Sequence, residues 1–243
     1  MVPIPGGRFE FRVSGIMIEG GNEAGTGVQF PWEDSPRRHH YRAMDLAGFL
    51  IDRTPVTNTQ YKRFLNDTKY QPADGHNFLR DWKNGTYVAG WEDRPVTWVS
   101  IEDARAYASW LGKRLPHDWE WQLAAGGTDG RIYPWGNEWN PAAVPEPLQG
   151  RSLTGPSPVG QHPQGASPFG VLDLIGNVWQ WTDEFVDEHT RAALLRGGSY
   201  YQPQGSLWYF PQAYRLDQHG KYLLMAPGKD RSGTVGFRCV MDQ

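Results

Sequence analysis

Apolar and polar positions change their period several times along the chain, and each change marks an element. The start alternates, with Val2, Ile4, Phe9 and Phe11 apolar on either side of Pro5-Gly6-Gly7, which predicts a hairpin-like opening. Residues 19–43 are polar, rich in Gly and charge, and predict a long surface loop. A strand is expected over 46–52. From Thr57 the period becomes helical: Tyr61, Phe64 and Leu65 fall at i, i+3 and i+4 behind a Thr or Asn N-cap. SIEDARAYASWLGKR predicts a second helix, with Ser100 and Asp103 as a capping box and Ala104, Tyr107, Ala108 and Leu111 on one face. LPHDWEWQLAAGG predicts a third, ended by Gly126-Gly127. Beyond residue 127 helical periodicity stops. Turn-rich pieces then alternate with short apolar runs, and strands are expected in ALLRGGSYY, WYFPQAYRL and VGFRCVM. No repeat and no linker interrupts the chain, so the expected architecture is one α+β domain over 1–243, with two main helices, a small twisted antiparallel sheet and many loops.

Composition sharpens this picture. Twelve Trp, 29 Gly and 19 Pro in 243 residues describe irregular structure held by large aromatic side chains, because Gly plus Pro exceeds the roughly 12% of an average chain. A net charge of -3 offers no electrostatic basis for nucleic acid or an anionic membrane as partner. No apolar run is long enough to span a bilayer. The single cysteine, Cys239, excludes an intramolecular disulfide and a cysteine-based metal cluster, which fits a cytoplasmic location.

Seven stretches in order, PIPGGRF, IDRTPVTNTQYKRFL, PVTWVSIEDARAYASWLGKRLPHDWEWQLAA, YPWGN, FGVLDLIGNVWQWT, RGGSY and VGFRCV, resemble the formylglycine-generating-enzyme or sulfatase-modifying-factor superfamily across nearly the whole chain. The resemblance extends to the C-terminal domain of ergothioneine sulfoxide synthase and to a pyoverdine-maturation protein. It implies a variant of the C-type-lectin fold. It also implies where a copper-binding cysteine pair would stand, shortly after the RGGS turn. Here those positions are Gln202 and about Leu207, neither of which replaces a thiolate. Copper-dithiolate chemistry is therefore not expected.

The resemblance further places a structural calcium site on the Asp173 side chain, the Gly176 and Val178 carbonyls and the Gln180 side chain. Gln180 stands where many relatives carry Glu, which removes one negative charge. The alternative is that this segment only ties down a turn. His117, where the family usually has Thr, is the candidate catalytic residue or ligand for iron or another redox metal; its plainer role is a hydrogen-bonded helix start. His39-His40 with Glu33 and Asp34 suggests half of a metal site, in which only one of two adjacent imidazoles would ligate. For substrate binding the candidates are Tyr200, Gln202, Trp208, Tyr209, Tyr214 and Arg215, with Tyr201 and Phe210 in the same aromatic run. Ser199 has no triad partners in sequence, and no phosphate-binding glycine motif occurs. Two readings follow: a metal-dependent oxidoreductase acting on a small molecule or a peptide side chain, or a non-catalytic module that binds a glycan or peptide in an aromatic groove.

Overall fold

The computed structural model describes residues 1–17, 27–149, 155–185, 192–202 and 212–243. Its strands are β1 (Val2–Ile4), β2 (Gly7–Met17), β3 (His39–Leu46), β4 (Phe49–Ile51), β5 (Leu148–Gln149), β6 (Trp179–Phe185), β7 (Ala192–Arg196), β8 (Tyr201–Gln202), β9 (Gln218–Leu223), β10 (Val235–Gly236) and β11 (Val240–Asp242). The helices are α1 (Asn58–Thr68), α2 (Ile101–Trp110), α3 (Asp118–Gly126) and the single turn α4 (Pro227–Asp230). Six strands form the main sheet in the order β10-β6-β7-β9-β2-β3. β1, β4 and β11 form a second sheet, which brings the two ends of the chain together on β4.

The residue pattern of β7 explains the layering. All five of its residues are buried, and they divide by period two. Ala193 and Leu195 join a core with Tyr61, Phe64, Tyr107 and Phe237, whereas Ala192 and Leu194 join a second core with Phe9, Phe11, Trp121 and Leu174. The sheet therefore carries α1 and α2 on one face and α3 on the other. The expected Ser100–Asp103 capping box closes, and Thr57, the expected cap of α1, forms a box with Gln60 as well.

Three expectations change. The segment 39–43 belongs to β3, which pairs with β2 from Ser14↔His39 to Gly7↔Leu46, so pairing outweighed its polar composition, and of these five residues only His40 is buried. Leu111 is the C-cap of α2 and is exposed, because the helix stops one residue before the end of its expected apolar face. The last long strand is β9, pairing with β2 and β7; of the expected WYFPQAYRL strand, residues 208–211 lie outside the described residues and 212–216 are irregular.

Candidate functional site

The RGGS turn leaves the main sheet at the end of β7. Gly197 and Gly198 take φ of 89° and 68°, and a Cβ on Gly197 would stand 2.1 Å from the Leu174 carbonyl oxygen. Only glycine fits this turn. The segment that follows is stapled by Gln212. Its Oε1 accepts the Ser199 N–H at 2.8 Å, and its Nε2 donates to the Tyr201 carbonyl at 2.9 Å. Tyr200 is buried, and its hydroxyl donates to the Gly233 carbonyl at 3.1 Å. It is a wall of the core and not an exposed ligand contact. Gln202 is exposed on β8, and Arg215 is exposed and paired with Asp217. Trp208 and Tyr209, like Leu207 and Phe210, lie outside the described residues.

Tyr214 joins a platform that the expected aromatic run did not contain. Its ring stacks on Trp139 at 5.4 Å and 19°, and Trp139 packs edge-on against Trp135 and Tyr133. Trp139 is 44% exposed, a large aromatic face open to solvent. Arg215 also lines a groove of about 830 Å³ between β2, β3 and the C-terminal end of α3, with Arg12, Tyr41, Asp129 and Arg131 on its walls.

The two side chains that the resemblance assigned to calcium, Gln180 and Asp173, already accept hydrogen bonds from protein donors. Gln180 Oε1 accepts from Trp121 Nε1 at 3.0 Å and from Arg238 Nε at 2.6 Å, while its Nε2 donates to the Asp173 and Leu174 carbonyls. Arg238 is fully buried and also donates to the carbonyls of Asp52, Arg53, Leu172 and Asp173. Its guanidinium sits in a cage of oxygens, as a bound cation would. Burial lowers its pKa to about 10, against the raising effect of Asp173 and Asp52, so it stays protonated at neutral pH. Asp173 Oδ2 accepts the Gly160 N–H at 2.6 Å. With both lone pairs of Gln180 Oε1 engaged, the side chain does not fit a calcium ligand. Asn177, Gly176 and Val178 belong to the same tied-down turn: Asn177 holds Ser157 by two hydrogen bonds, the Gly176 N–H donates to the Gly197 carbonyl, and Val178 is buried.

A copper-dithiolate site does not fit either. Cys239 is the only thiol in the chain, and it is buried, with burial and Asp52 pushing its pKa well above that of a free thiol.

The start of α3 gathers the ionisable groups. His117 is its N-cap residue, but its ring does not cap; Glu120 accepts the His117 N–H at 2.8 Å instead. The ring stacks on Trp119 and its Nδ1 lies 2.5 Å from Glu184 Oε1. Burial opposes protonation of His117, but Glu184 outweighs it and raises the pKa above 6.5. His117 does not converge on the RGGS turn. Gln180 of β6 pairs with Arg196, which opens that turn, and Glu184 lies four residues further along β6, roughly 13 Å away.

Asp118, the next residue, points inward. Its carboxylate binds Arg196 Nε and His219 Nδ1, the latter at 2.8 Å, and all three side chains are fully buried. Burial alone would raise its pKa, but Arg196 and His219 hold it well below the ordinary 3.8. His219 is held below 6.5 by burial, so its ring is neutral at pH 7. His40 lies beside it, with Nδ1 2.8 Å from Glu33 Oε1. The sequence had suggested Glu33 and one of His39-His40, and the buried member is His40. It had not suggested His219, because the strand that carries it was not recognised.

Asp81 was also missed, since RDWK sits in a turn without periodicity. Its Oδ1 is buried without a hydrogen-bond partner among the described residues, and burial raises its pKa to about 6. It is close enough to Tyr200 to raise the pKa of that phenol further. Among the described residues no group of three or more His, Cys, Asp and Glu is placed to hold a metal, so a two-histidine, one-carboxylate iron site does not fit them. No helix of the described residues is long and apolar enough to cross a membrane.

Comparison with known proteins places these features. The chain is 29% identical to the formylglycine-generating enzyme of Mycobacterium tuberculosis, over 93% of this chain and 97% of that protein. It is 32% identical to the hercynine oxygenase of Mycolicibacterium smegmatis over 74% of this chain, but spans only 48% of that enzyme. The structure of PvdO from Pseudomonas aeruginosa superposes with a TM-score of 0.63 at 22% identity, covering 99% of this chain and 93% of that one, and shares the fold. That fold is α+β, the formylglycine-generating-enzyme variant of the C-type-lectin fold. The sulfatase-modifying factor enzyme 1-like domain matches residues 1–243, and this chain belongs to that family.

Proposed function

We propose that this chain is an oxidoreductase acting on a small molecule or a peptide side chain held beside the RGGS turn, without a copper-dithiolate centre. Asp81 carries the reading. With dioxygen as the electron acceptor, oxidising a substrate also releases a proton, which at neutral pH needs an acceptor partly ionised there, and burial brings the Asp81 carboxyl to about 6 near Tyr200. Oδ1 has no hydrogen-bond partner among the described residues, so its acceptor capacity is unspent. The relatives, a formylglycine-generating enzyme and a hercynine oxygenase, support oxidation as the reaction class. In this reading the half-exposed His117–Glu184 pair anchors α3, because it lies at the far end of β6 from the turn.

The test is dioxygen uptake with a panel of small thiols and cysteine-containing peptides. Asp81→Asn is expected to lower kcat at least 100-fold and to erase an acidic limb near pH 6, with the melting temperature nearly unchanged. An unaltered pH profile would remove Asp81 from the chemistry.

A second reading, a non-catalytic binding module, is supported by the exposed Trp139–Tyr214 platform. Aromatic faces of this kind stack on sugar rings and on peptide side chains. Under it, Trp139→Ala abolishes binding of an oligosaccharide or peptide panel while Asp81→Asn leaves binding intact. The sequence-derived candidates Trp208 and Tyr209 belong to the same test through Trp208→Ala.

A further inference from the structure

His40 and His219 form a pair that neither the family's cysteine chemistry nor the proposed role of Asp81 uses. They come from neighbouring parts of the main sheet, β3 and β9, which flank β2. Both side chains have no solvent exposure. Each is held at Nδ1 by its own carboxylate, His40 by Glu33 and His219 by Asp118, both at 2.8 Å. A carboxylate at Nδ1 takes the ring proton on that side and leaves Nε2 as the lone-pair nitrogen. Both Nε2 atoms are buried with no hydrogen-bond partner among the described residues. Two buried acceptors without a donor, side by side, are an unfavourable arrangement for a molecule that gains nothing from them.

The spacing suits one ion between the rings, whose centroids are 5.9 Å apart. With a metal–nitrogen bond of about 2.0–2.1 Å, two imidazoles on one ion have centroids roughly 5–6.4 Å apart, from a tetrahedral to a linear angle. We propose that His40 and His219 hold a single copper(I) ion through their Nε2 atoms.

The donor set selects the metal. Neutral imidazole nitrogens do not suit calcium or magnesium, which take oxygens. Zinc asks for four ligands, and among the described residues no third His, Cys, Asp or Glu completes the pair. Imidazole nitrogen suits copper, and the d¹⁰ monovalent ion, unlike zinc, is content with two ligands. The surroundings favour a low-charge ion: Phe30 lies edge-on to His40 at 4.8 Å and 5.9 Å from His219, and Trp32 stacks on its other side. Glu33 and Asp118 supply the outer contacts that orient ligand imidazoles and raise their basicity. His40 also belongs to the wall of the groove that reaches the surface between β2 and α3.

The site rests on this geometry and not on the oxidoreductase reading, although it would supply the metal that such a reaction uses. The test loads tag-free, chelator-stripped protein with copper(I) under anaerobic conditions, with zinc(II) and iron(II) in parallel. The expected result is one copper per chain, with X-ray absorption showing two nitrogen neighbours and no sulfur. His40→Gln and His219→Gln should each reduce copper retention at least tenfold, and Glu33→Gln should weaken affinity 10–100-fold. His39→Gln, at the exposed neighbour of His40, should retain full loading, and near-UV circular dichroism identifies any variant that has lost its packing. No copper in the wild-type protein, sulfur ligation by Cys239, a preference for zinc or iron, or full loading of a well-packed His40→Gln would each overturn the assignment. Copper-loaded protein that oxidises nothing would count against the oxidoreductase reading alone, since the site is judged by binding.

Discussion

Two buried polar clusters on the α3 side of the sheet differ in one respect. Around Arg238 and Gln180 the donors meet acceptors: the guanidinium reaches four backbone carbonyls and the Gln180 oxygen, and the Gln180 amide reaches one of those four, that of Asp173, and the Leu174 carbonyl. Around Asp118 the inner half is equally complete, but it ends at the His219 Nε2, which, like the Nε2 of neighbouring His40, has no hydrogen-bond partner among the described residues. A closed network fixes the course of the chain. An open one, equally buried and equally braced, keeps lone pairs available for something that is not protein.

The largest way to break this contrast is at Arg238. Arg238→Met fills the volume but leaves the Gln180 oxygen and the surrounding carbonyls without their donor. A loss of roughly 3–5 kcal/mol is expected, by analogy with breaking one side of a buried ionic network, and is measured by urea unfolding. A loss below about 1 kcal/mol would mean the network is not closed by Arg238.

Acid should act next, and through the open cluster. Asp118 and His219 both have folded pKa values below their unfolded ones, so each contributes stability above its unfolded value that is lost as pH falls. The His219 contribution starts to fall as pH drops through its ordinary 6.5, and that of Asp118 as pH drops through its ordinary 3.8. Unfolding free energy should therefore decline in two stages on the acid side. His219→Phe should flatten the first stage and leave the second. A decline only below pH 4 would mean that His219 carries a proton in the folded protein.

The smallest expected effect belongs to calcium. Because Arg238 occupies the oxygen cage and Gln180 has no lone pair to offer, a calcium chelator should leave the melting temperature unchanged within about 1 °C. Adding millimolar calcium should do the same. A rise of several degrees would restore a cation to the Asp173 turn.

Much of the frame was legible in residue order. Thr57 and Ser100 announced α1 and α2 because caps are local: a side chain answers a backbone N–H three residues away. Gly197 and Gly198 announced a turn because no other residue accepts those angles without strain. Two missed elements share a cause. His39–Leu46 reads as polar because one face of β3 is solvated, and what makes it a strand is pairing with β2, over twenty residues earlier. His219 reads as a loop histidine because β9 exists only between β2 and β7, both distant in sequence.

The same division holds for chemistry. By itself the sequence determined the family, through motifs in fixed order, and determined that no thiolate pair is available, because Gln202 takes the first cysteine position and the chain has only one Cys. Only the tertiary structure decided which polar groups are satisfied. It turned Gln180 from a metal ligand into a partner of Arg238, and paired His117, the candidate catalytic histidine, with Glu184 at the far end of β6 from the RGGS turn. It also set two histidines 179 positions apart, His40 and His219, side by side with unused nitrogens. Satisfaction of a buried polar atom depends on which donors packing brings within about 3 Å, and spacing along the chain does not contain that information.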